Sequence, residues 1–264
     1  MLMVQTENTA IVLRHANYRD NDRMVTLLSP SRGRIDAIIR NCRKPKSHNL
    51  NAGELFALGD YMLYESGGHI TVTSVRLIET FYPLRNDYDR LACGVYLLNL
   101  TEAVVEPEQE QQELFMLLLH TLSRLTFSSQ EWQPLLAGFL LHFSACQGFK
   151  PRLNHCVHCG NRLPDAGGVF FDAEEGGVCC ADCHEKLSAR PASPQFYGNP
   201  TASFQKSQRP LAREQLSWMR AALTAGSASW VNSPSAYAPF SLLREFVEHR
   251  LGRRFKSSSQ LPPP

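Results

Sequence analysis

Residues 1–80 contain five short runs in which apolar and polar positions alternate and β-branched side chains are frequent. Such alternation predicts β-strands with one buried face. Gly33 and Ser66–Gly68 provide turn signals between neighbouring runs. Five strands in so short a segment favour a small closed barrel of the OB type, and an SH3-like or sandwich module of this size is the alternative. The runs are TAIVLRHANY, RMVTLLSP, RIDAIIRN, FALGDYMLYE and HITVTSVRLIE.

After Asp87 the apolar residues recur at helical spacing. A first helix ends before Pro107, and the runs EQEQQELFMLLLHTLSRL and EWQPLLAGFLLHFSACQG predict two more, the last stopped by Gly148. Parts of these two runs are apolar on nearly every side, which indicates helices inside a bundle. Two further helices, REQLSWMRAALTAG and FSLLREFVEHRLGRR, follow, and the tail SSSQLPPP is expected to be disordered.

These patterns predict an α+β protein. We expect residues 1–80 to form a five-stranded OB-type β-barrel and residues 81–264 to form an α-helical bundle domain. A four-cysteine element resembling a zinc ribbon, residues 151–188, interrupts the helical domain as an insert. A length of 264 residues and an apolar fraction of 43% suit a globular chain of two or three domains.

Charge is unevenly distributed along the chain. The formal net charge is only +2, yet residues 1–50 hold nine Lys/Arg against four Asp/Glu, whereas residues 51–110 hold three against ten. An anionic partner would therefore be attracted by the N-terminal segment and not by the protein as a whole. Because no window resembles a membrane span or a signal peptide, we expect a cytoplasmic protein without membrane contact.

Five of the eight cysteines lie within residues 156–183. Cys156 and Cys159 form one C-x2-C pair, and Cys180 and Cys183 form a second, a spacing typical of four-cysteine zinc sites. Four thiolates fill a tetrahedron and leave no open position, so the sequence predicts one structural Zn2+ ion. Cys179 could replace Cys180 only as a poorer C-x3-C pair, and we assign it to an apolar strand position.

Two alternatives remain open for this segment. His155, His158 and His184 adjoin the cysteines and could act as donors, although a surface position or a hydrogen bond to a ligand is the commoner role for such a histidine. Each C-x2-C could also be a redox dithiol, as in a thiol oxidoreductase, but the βαβ context of such a motif is missing. Glycines at positions 160, 176 and 177 are expected to take the positive φ that tight knuckle turns need.

The N-terminal basic residues are candidate phosphate contacts, since the loops of OB barrels bind nucleic acid and cations there gain by releasing counterions. A solvated charged surface is the alternative. The chain lacks the sequence motifs of phosphate-binding loops, nucleophile elbows and zinc proteases, so we predict a binding protein and not an enzyme. The candidate contacts are Arg14, Arg19, Arg32, Arg34, Arg40, Arg43, Lys44 and Lys46.

Three stretches together resemble the RecO family of bacterial recombination mediators: AIVLRHANYRDNDRMVTLLSPSRGRI, then RKPKS, then GFKPRLNHCVHCG with EEGGVCCADC. The resemblance implies an OB barrel, a central helical bundle and an inserted zinc element. It also implies binding of single- and double-stranded DNA, with Arg43, Lys44 and Lys46 of the RKPKS motif as the first contacts and Arg14, Arg32 and Arg34 next.

The resemblance further implies how such a protein works. It would anneal complementary strands without nucleotide, contact the acidic C-terminal tail of single-strand binding protein, and act with RecR to load RecA onto single strands. We therefore expect a cytoplasmic, nucleoid-associated protein of recombinational DNA repair. An RNA-binding OB protein with a structural zinc ribbon, or less favourably a thiol oxidoreductase, is the alternative.

Overall fold

The computed structural model describes residues 4–163, 168–189, 208–224 and 237–262. They divide into two compact units. The N-terminal unit takes the described residues of Met1–Trp132 and Phe255–Pro263, and the C-terminal unit takes those of Gln133–Arg254. Each unit is described by itself below.

A closed barrel with the strand order β1-β2-β3-β5-β4 forms the first part of the N-terminal unit. All neighbours are antiparallel except β3 and β5, which pair in parallel. This is the OB arrangement that the alternating pattern predicted. β1 is long and pairs with two neighbours: its first half pairs with β4 and its second half pairs with β2. A bulge between Val12 and Arg14 bends the strand where it changes partner. The strands are β1 (Val4–Tyr18), β2 (Asp22–Ser29), β3 (Gly33–Ile39), β4 (Leu58–Ser66) and β5 (His69–Glu79).

The barrel core consists of the inward side chains of all five strands, and the loop after β3 adds to it. Alternate residues of β3 are buried, as the period of a strand requires. Cys42 and Ala52, both in the loop between β3 and β4, are each 1% exposed and pack in this core. The buried Tyr61 hydroxyl donates to the carbonyl oxygen of Ala52 at 2.9 Å. The loop is therefore fixed to the barrel from the inside.

Gly33 allows residues 106–109 to lie against the turn between β2 and β3. Its φ is +65°, and an added Cβ would lie 2.4 Å from the Glu106 carbonyl oxygen. The N–H of Arg34 donates to that same oxygen, and the N–H of Glu108 donates to Arg32 O. Glycine is needed here both for the backbone conformation and for the close approach.

Two helices, α1 (Tyr88–Glu102) and α2 (Gln112–Phe127), belong to the same unit as the barrel. Asp87 caps α1, as the predicted start at this residue requires, and its side chain accepts from the N–H of Arg90. A 3-10 helix over Tyr82–Asn86 precedes α1. The division into domains of residues 1–80 and 81–264 stays a prediction.

The end of the chain returns to the N-terminal unit. Lys256–Gln260 form a 3-10 helix, Asn99 donates to the Ser257 hydroxyl at 2.9 Å, and the ring of Phe255 meets that of Tyr96 edge-on at 6.2 Å. The expectation of a disordered tail is wrong for residues 257–262, because the preceding Phe255 is 4% exposed and anchors the segment. The last two residues of the predicted tail lie outside the described ones.

The C-terminal unit packs helices against a small sheet. Aromatic rings link the two layers: Phe246 meets Phe149 at 5.8 Å and Phe171 at 5.3 Å, and Phe149 meets Phe143 at 6.5 Å. Most of α3 is buried, as its apolar sequence predicted. The helices are α3 (Trp132–Cys146), α4 (Ala181–Ser188), α5 (Arg213–Thr224) and α6 (Phe240–Arg250).

The sheet has the order β7-β6-β8, with β6 at Val169–Asp172, β7 at Gly177–Cys180 and β8 at Gln208–Leu211. β8 lies beyond the predicted insert, residues 151–188. The end of the predicted helix REQLSWMRAALTAG lies outside the described residues. None of the described helices has the length and apolar character needed to cross a membrane.

Candidate metal centre and nucleic-acid interface

The four predicted cysteine ligands converge on one point. The sulfur atoms of Cys156, Cys159, Cys180 and Cys183 all lie within 4.8 Å of one another. Cys180 ends β7 and occupies the N-cap position of α4, and Cys183 lies in the first turn of that helix. The first pair lies in a turn closed by the N–H of Gly160 donating to Cys156 O. A sheet end and a short turn thus present two pairs to a common centre.

Backbone pairing with β7 positions the first cysteine turn. The N–H of Val157 donates to Val178 O at 2.8 Å, and the N–H of Val178 donates to Arg152 O at 2.9 Å. A Cβ on Gly177 would lie 2.4 Å from that Arg152 oxygen. Glycines 160 and 176 have the predicted positive φ, whereas Gly177 does not. Gly177 is needed because two backbone segments, at residues 152 and 177, approach each other closely, and not because a turn requires it.

The geometry fits a zinc ion. A tetrahedron with Zn–S distances of about 2.3 Å has S–S edges of about 3.8 Å, and the sulfurs of Cys159 and Cys180 are 3.9 Å apart. All four cysteines are free of disulfides. Burial raises the pKa of Cys156, but hydrogen bonds from the backbone N–H groups of residues 159, 180 and 158 outweigh it and lower the pKa to about 6. Such donors stabilise the thiolate that binds a metal.

Cys179 takes no part in this cluster. It is fully buried in β7, and burial raises the pKa of its thiol to about 12. Its sulfur donates weakly to the Cys180 carbonyl oxygen. The strand position predicted for Cys179 is therefore confirmed, and the four sulfurs that do converge favour one metal over two separate dithiols.

The neighbouring histidines lie outside the sulfur cluster. His158 Nε2 is 3.0 Å from a carboxylate oxygen of Asp172, and His184 Nδ1 is 2.6 Å from the side-chain oxygen of Gln208. His155 is exposed, and its backbone forms an isolated antiparallel β-bridge with Arg162. Sequence reasoning did not identify Asp172 or Gln208, because neither lies in a recognisable motif.

Three of the eight candidate DNA contacts are paired with carboxylates. Arg14 Nε lies 2.7 Å from Glu102, and Arg34 Nε lies 2.9 Å from Asp36. Arg32 bridges two acids, with Nη1 2.5 Å from Glu65 and a further ion pair to Glu108. The charge of these three arginines is largely compensated by their neighbours. Arg23, the remaining basic residue of this segment, pairs with Glu54.

The other five candidates are exposed, and within the described residues no carboxylate pairs with them. They lie in the turn between β1 and β2 and in the loop that follows β3. These two segments adjoin each other, because Arg23 on β2 is the register partner of Ile39, the last residue of β3. We call this group the barrel-end cluster; its members are Arg19, Arg40, Arg43, Lys44 and Lys46.

Local contacts connect the loop of this cluster to the turn between β1 and β2 and to the barrel core. The N–H of Asn41 donates to the Asp22 carboxylate at 2.8 Å, and the Arg43 side chain donates to Asp20 O at 3.1 Å. Between them the side chain of Cys42 enters the barrel core. Successive turns follow, in which the N–H groups of residues 44, 47 and 50 donate to carbonyls three residues earlier. The cluster is therefore presented by an ordered surface.

Comparisons with known proteins match both parts of the chain. A family model described as Recombination protein O N terminal matches residues 3–81, and one described as Recombination protein O C terminal matches residues 85–189. The DNA repair protein RecO of Anaeromyxobacter sp. (strain K) is 33% identical over 258 residues, which cover 96% of this chain and 94% of that protein. The DNA repair protein RecO of Alkaliphilus metalliredigens (strain QYMF) is 34% identical over 183 residues, 69% of this chain and 73% of that protein.

Proposed function

Because the chain belongs to the RecO family of DNA repair proteins, we propose that it is a recombination mediator whose barrel-end cluster binds the phosphate backbones of single- and double-stranded DNA. The observation that carries this proposal is the contrast among the eight candidate cations. Five of them are exposed, lack a carboxylate partner among the described residues and share one end of the barrel, whereas the other three are paired with acids.

Physical chemistry favours the unpaired cations as the contacts. A cation that already pairs with a carboxylate must lose that partner before it gains by releasing counterions from DNA, whereas an unpaired cation gains directly. The proposal therefore places Arg19, Arg40, Arg43, Lys44 and Lys46 at the DNA backbone. Arg14, Arg32 and Arg34 become peripheral. Backbone contacts of this kind carry no sequence preference.

The proposed activity is annealing of complementary strands without nucleotide. Cations between two strands screen the repulsion of their phosphates and lower the barrier to pairing. In the cell the protein would act with RecR to load RecA onto single strands coated with single-strand binding protein, whose acidic tail it would contact. This role places the protein at the nucleoid and requires no catalytic group of its own.

The metal has a structural role in this proposal. Cys156, Cys159, Cys180 and Cys183 would hold one Zn2+, which when bound supplies rigid tetrahedral cross-linking of the two turns. All four ligand positions are protein sulfurs, so the ion would have no position for substrate. The chain's own residues stabilise the turn by the backbone pairing of residues 152, 157 and 178.

Annealing of two complementary DNA oligonucleotides by the purified protein, without nucleotide, tests the function. We expect faster annealing than with buffer alone and loss of the effect when Lys44 and Lys46 are changed to Ala. Failure to accelerate annealing would contradict the proposal. Competition between DNA and RNA strands of the same sequence tests the RNA alternative, which predicts that the RNA strand wins.

A further inference from the structure

A buried carboxylate and an amide connect the two histidines that flank the cysteine pairs. His158 directly precedes Cys159, and His184 directly follows Cys183. Asp172 and Gln208 lie between the two rings. We propose that Asp172 and Gln208 form a clasp between both cysteine pairs and β8, so that metal binding and the docking of β8 stabilise each other. The inference rests on the metal assignment and not on DNA binding.

Asp172 is the fixed centre of the clasp. It ends β6 and is the register partner of Gly177 on one side and of Gln208 on the other. One carboxylate oxygen accepts from the N–H groups of Glu174 and Glu175 at 3.1 and 3.0 Å. The other lies 3.0 Å from His158 Nε2 and 2.8 Å from Gln208 Nε2. With an exposed fraction of 2%, Asp172 is a buried acceptor whose partners fix it from four directions.

The amide of Gln208 has one orientation that satisfies all its neighbours. Its NH2 group donates to the Asp172 carboxylate, so its oxygen must face His184, whose Nδ1–H donates to it at 2.6 Å. The His184 ring also stacks on Phe170, with ring centroids 3.6 Å apart and planes inclined by 13°. Gln208 therefore holds the second cysteine turn through His184 and, through Asp172, the first.

The clasp lies next to the two cysteines that burial does not fix in place. Cys156 and Cys180 are 3% and 9% exposed, so packing already fixes one member of each pair. Cys159 is exposed and Cys183 is half-buried. These are the two cysteines whose neighbours in sequence, His158 and His184, enter the clasp. Partners that hydrogen-bond to metal ligands commonly change metal affinity by about 10- to 100-fold. The clasp holds the residues next to the ligands, so its effect is expected at the lower end of that range.

β8 depends on the same contacts. It is an edge strand of four residues, and only Leu211 among them is buried. Its hold on the unit therefore comes from the ladder to β6, the burial of Leu211 and the clasp at Gln208. The ion pair of Arg209 with Glu245 is partly exposed to solvent, and such pairs contribute little to stability. If the metal orders both cysteine turns, it also orders the rings of His158 and His184, which bind Gln208 through Asp172 and directly. By linkage, a docked β8 must then favour metal binding to the same extent.

Substitution of Gln208 by Ala tests the clasp, with Arg209→Ala as the matched control on the same strand. We expect Gln208→Ala to weaken zinc binding, measured by competition with a chromogenic chelator, by about 10-fold or more. Arg209→Ala should stay within about two-fold of the original chain. Gln208→Glu keeps the size of the side chain but places a second carboxylate against Asp172, so it should also weaken zinc binding. This variant tests the clasp even if Gln208→Ala fails to fold.

Hydrogen exchange provides the reciprocal measurement. Removing zinc from the original chain should increase amide exchange at Arg209 and Leu211 of β8, and restoring zinc should reverse the increase. Unchanged zinc affinity in both Gln208 variants, or β8 exchange indifferent to zinc, would overturn the proposal. A chain that binds no zinc would overturn it too, at the metal assignment, while the DNA-binding proposal would still stand on the annealing assay.

Discussion

The backbone N–H of Arg43 donates to the carbonyl oxygen of Asn21 at 3.1 Å. This bond joins the loop after β3 to the turn between β1 and β2, two segments about twenty residues apart in sequence. It brings Arg19 of the turn and the cations of the loop to one end of the barrel. A cluster of charges that is ordered before DNA arrives loses less conformational entropy on binding than one on a floppy loop.

The first prediction concerns the salt dependence of DNA binding. The double change Arg43→Ala and Lys44→Ala should weaken binding to all sequences alike and reduce the slope of log K against log salt by about one for each lost contact. The matched control is the double change Arg14→Ala and Arg34→Ala, which removes two arginines that are already paired with acids. Equal loss of slope in both variants would show that ion pairing does not decide the contacts.

The second prediction concerns Gly33. Gly33→Ala and Gly67→Ala both place a side chain at positive φ, but only at position 33 would the new Cβ meet backbone atoms. The conformational cost should be about 1–2 kcal/mol at either site. Overpacking against Glu106 should add about 1–3 kcal/mol at position 33 alone. Denaturant unfolding of the two variants checks this, and equal destabilisation would contradict the close approach.

The third prediction concerns the returning C-terminal segment. Phe255 is 4% exposed and packs edge-on against Tyr96, so Phe255→Ala should destabilise the N-terminal unit by about 3–5 kcal/mol. Lys256→Ala, the control, removes an exposed neighbour and should cost less than about 0.5 kcal/mol. Calorimetry distinguishes the two. A Phe255→Ala variant as stable as the control would mean that the segment after α6 contributes nothing to the core.

The five barrel strands, α1 and α2 could be predicted because each is long enough to show its period. β6, β7 and β8 have four residues each, too few to show a period of two. α4 has only eight residues, none of them buried, so its sequence ADCHEKLS spans too few turns for a helical period to be recognised. The sequence thus indicated the cysteines without the sheet and helix that position them.

The four sulfurs could be identified because C-x2-C spacing is a local property. The division among the basic residues could not, because two of the three paired arginines meet acids that are distant in sequence, and only Arg34 has a local partner, Asp36. Arg32 meets Glu108, 76 positions away, and Arg14 meets Glu102 at the end of α1. Charge counts place cations in a segment, but only the fold shows which of them are already neutralised.

The fourth prediction separates the metal ligands from their neighbour. Cys156→Ser removes one of the four converging sulfurs and should abolish stoichiometric zinc binding, because three thiolates and a hydroxyl hold zinc far less tightly. Elemental analysis of the purified variant measures the loss, and the melting temperature should fall with it. DNA affinity and its salt slope should be unchanged, since the barrel-end cluster lies in the other unit.

Cys179→Ala is the matched control for the metal assignment. It removes a buried sulfur next to Cys180 in sequence but outside the cluster, so zinc content should stay at one ion per chain. The cost should be limited to packing, because the thiol behaves as a small apolar group in β7. Loss of zinc from Cys179→Ala together with retention in a Cys180→Ala variant would assign the ligand to Cys179. That result would replace the second C-x2-C pair by C-x3-C and contradict the present geometry.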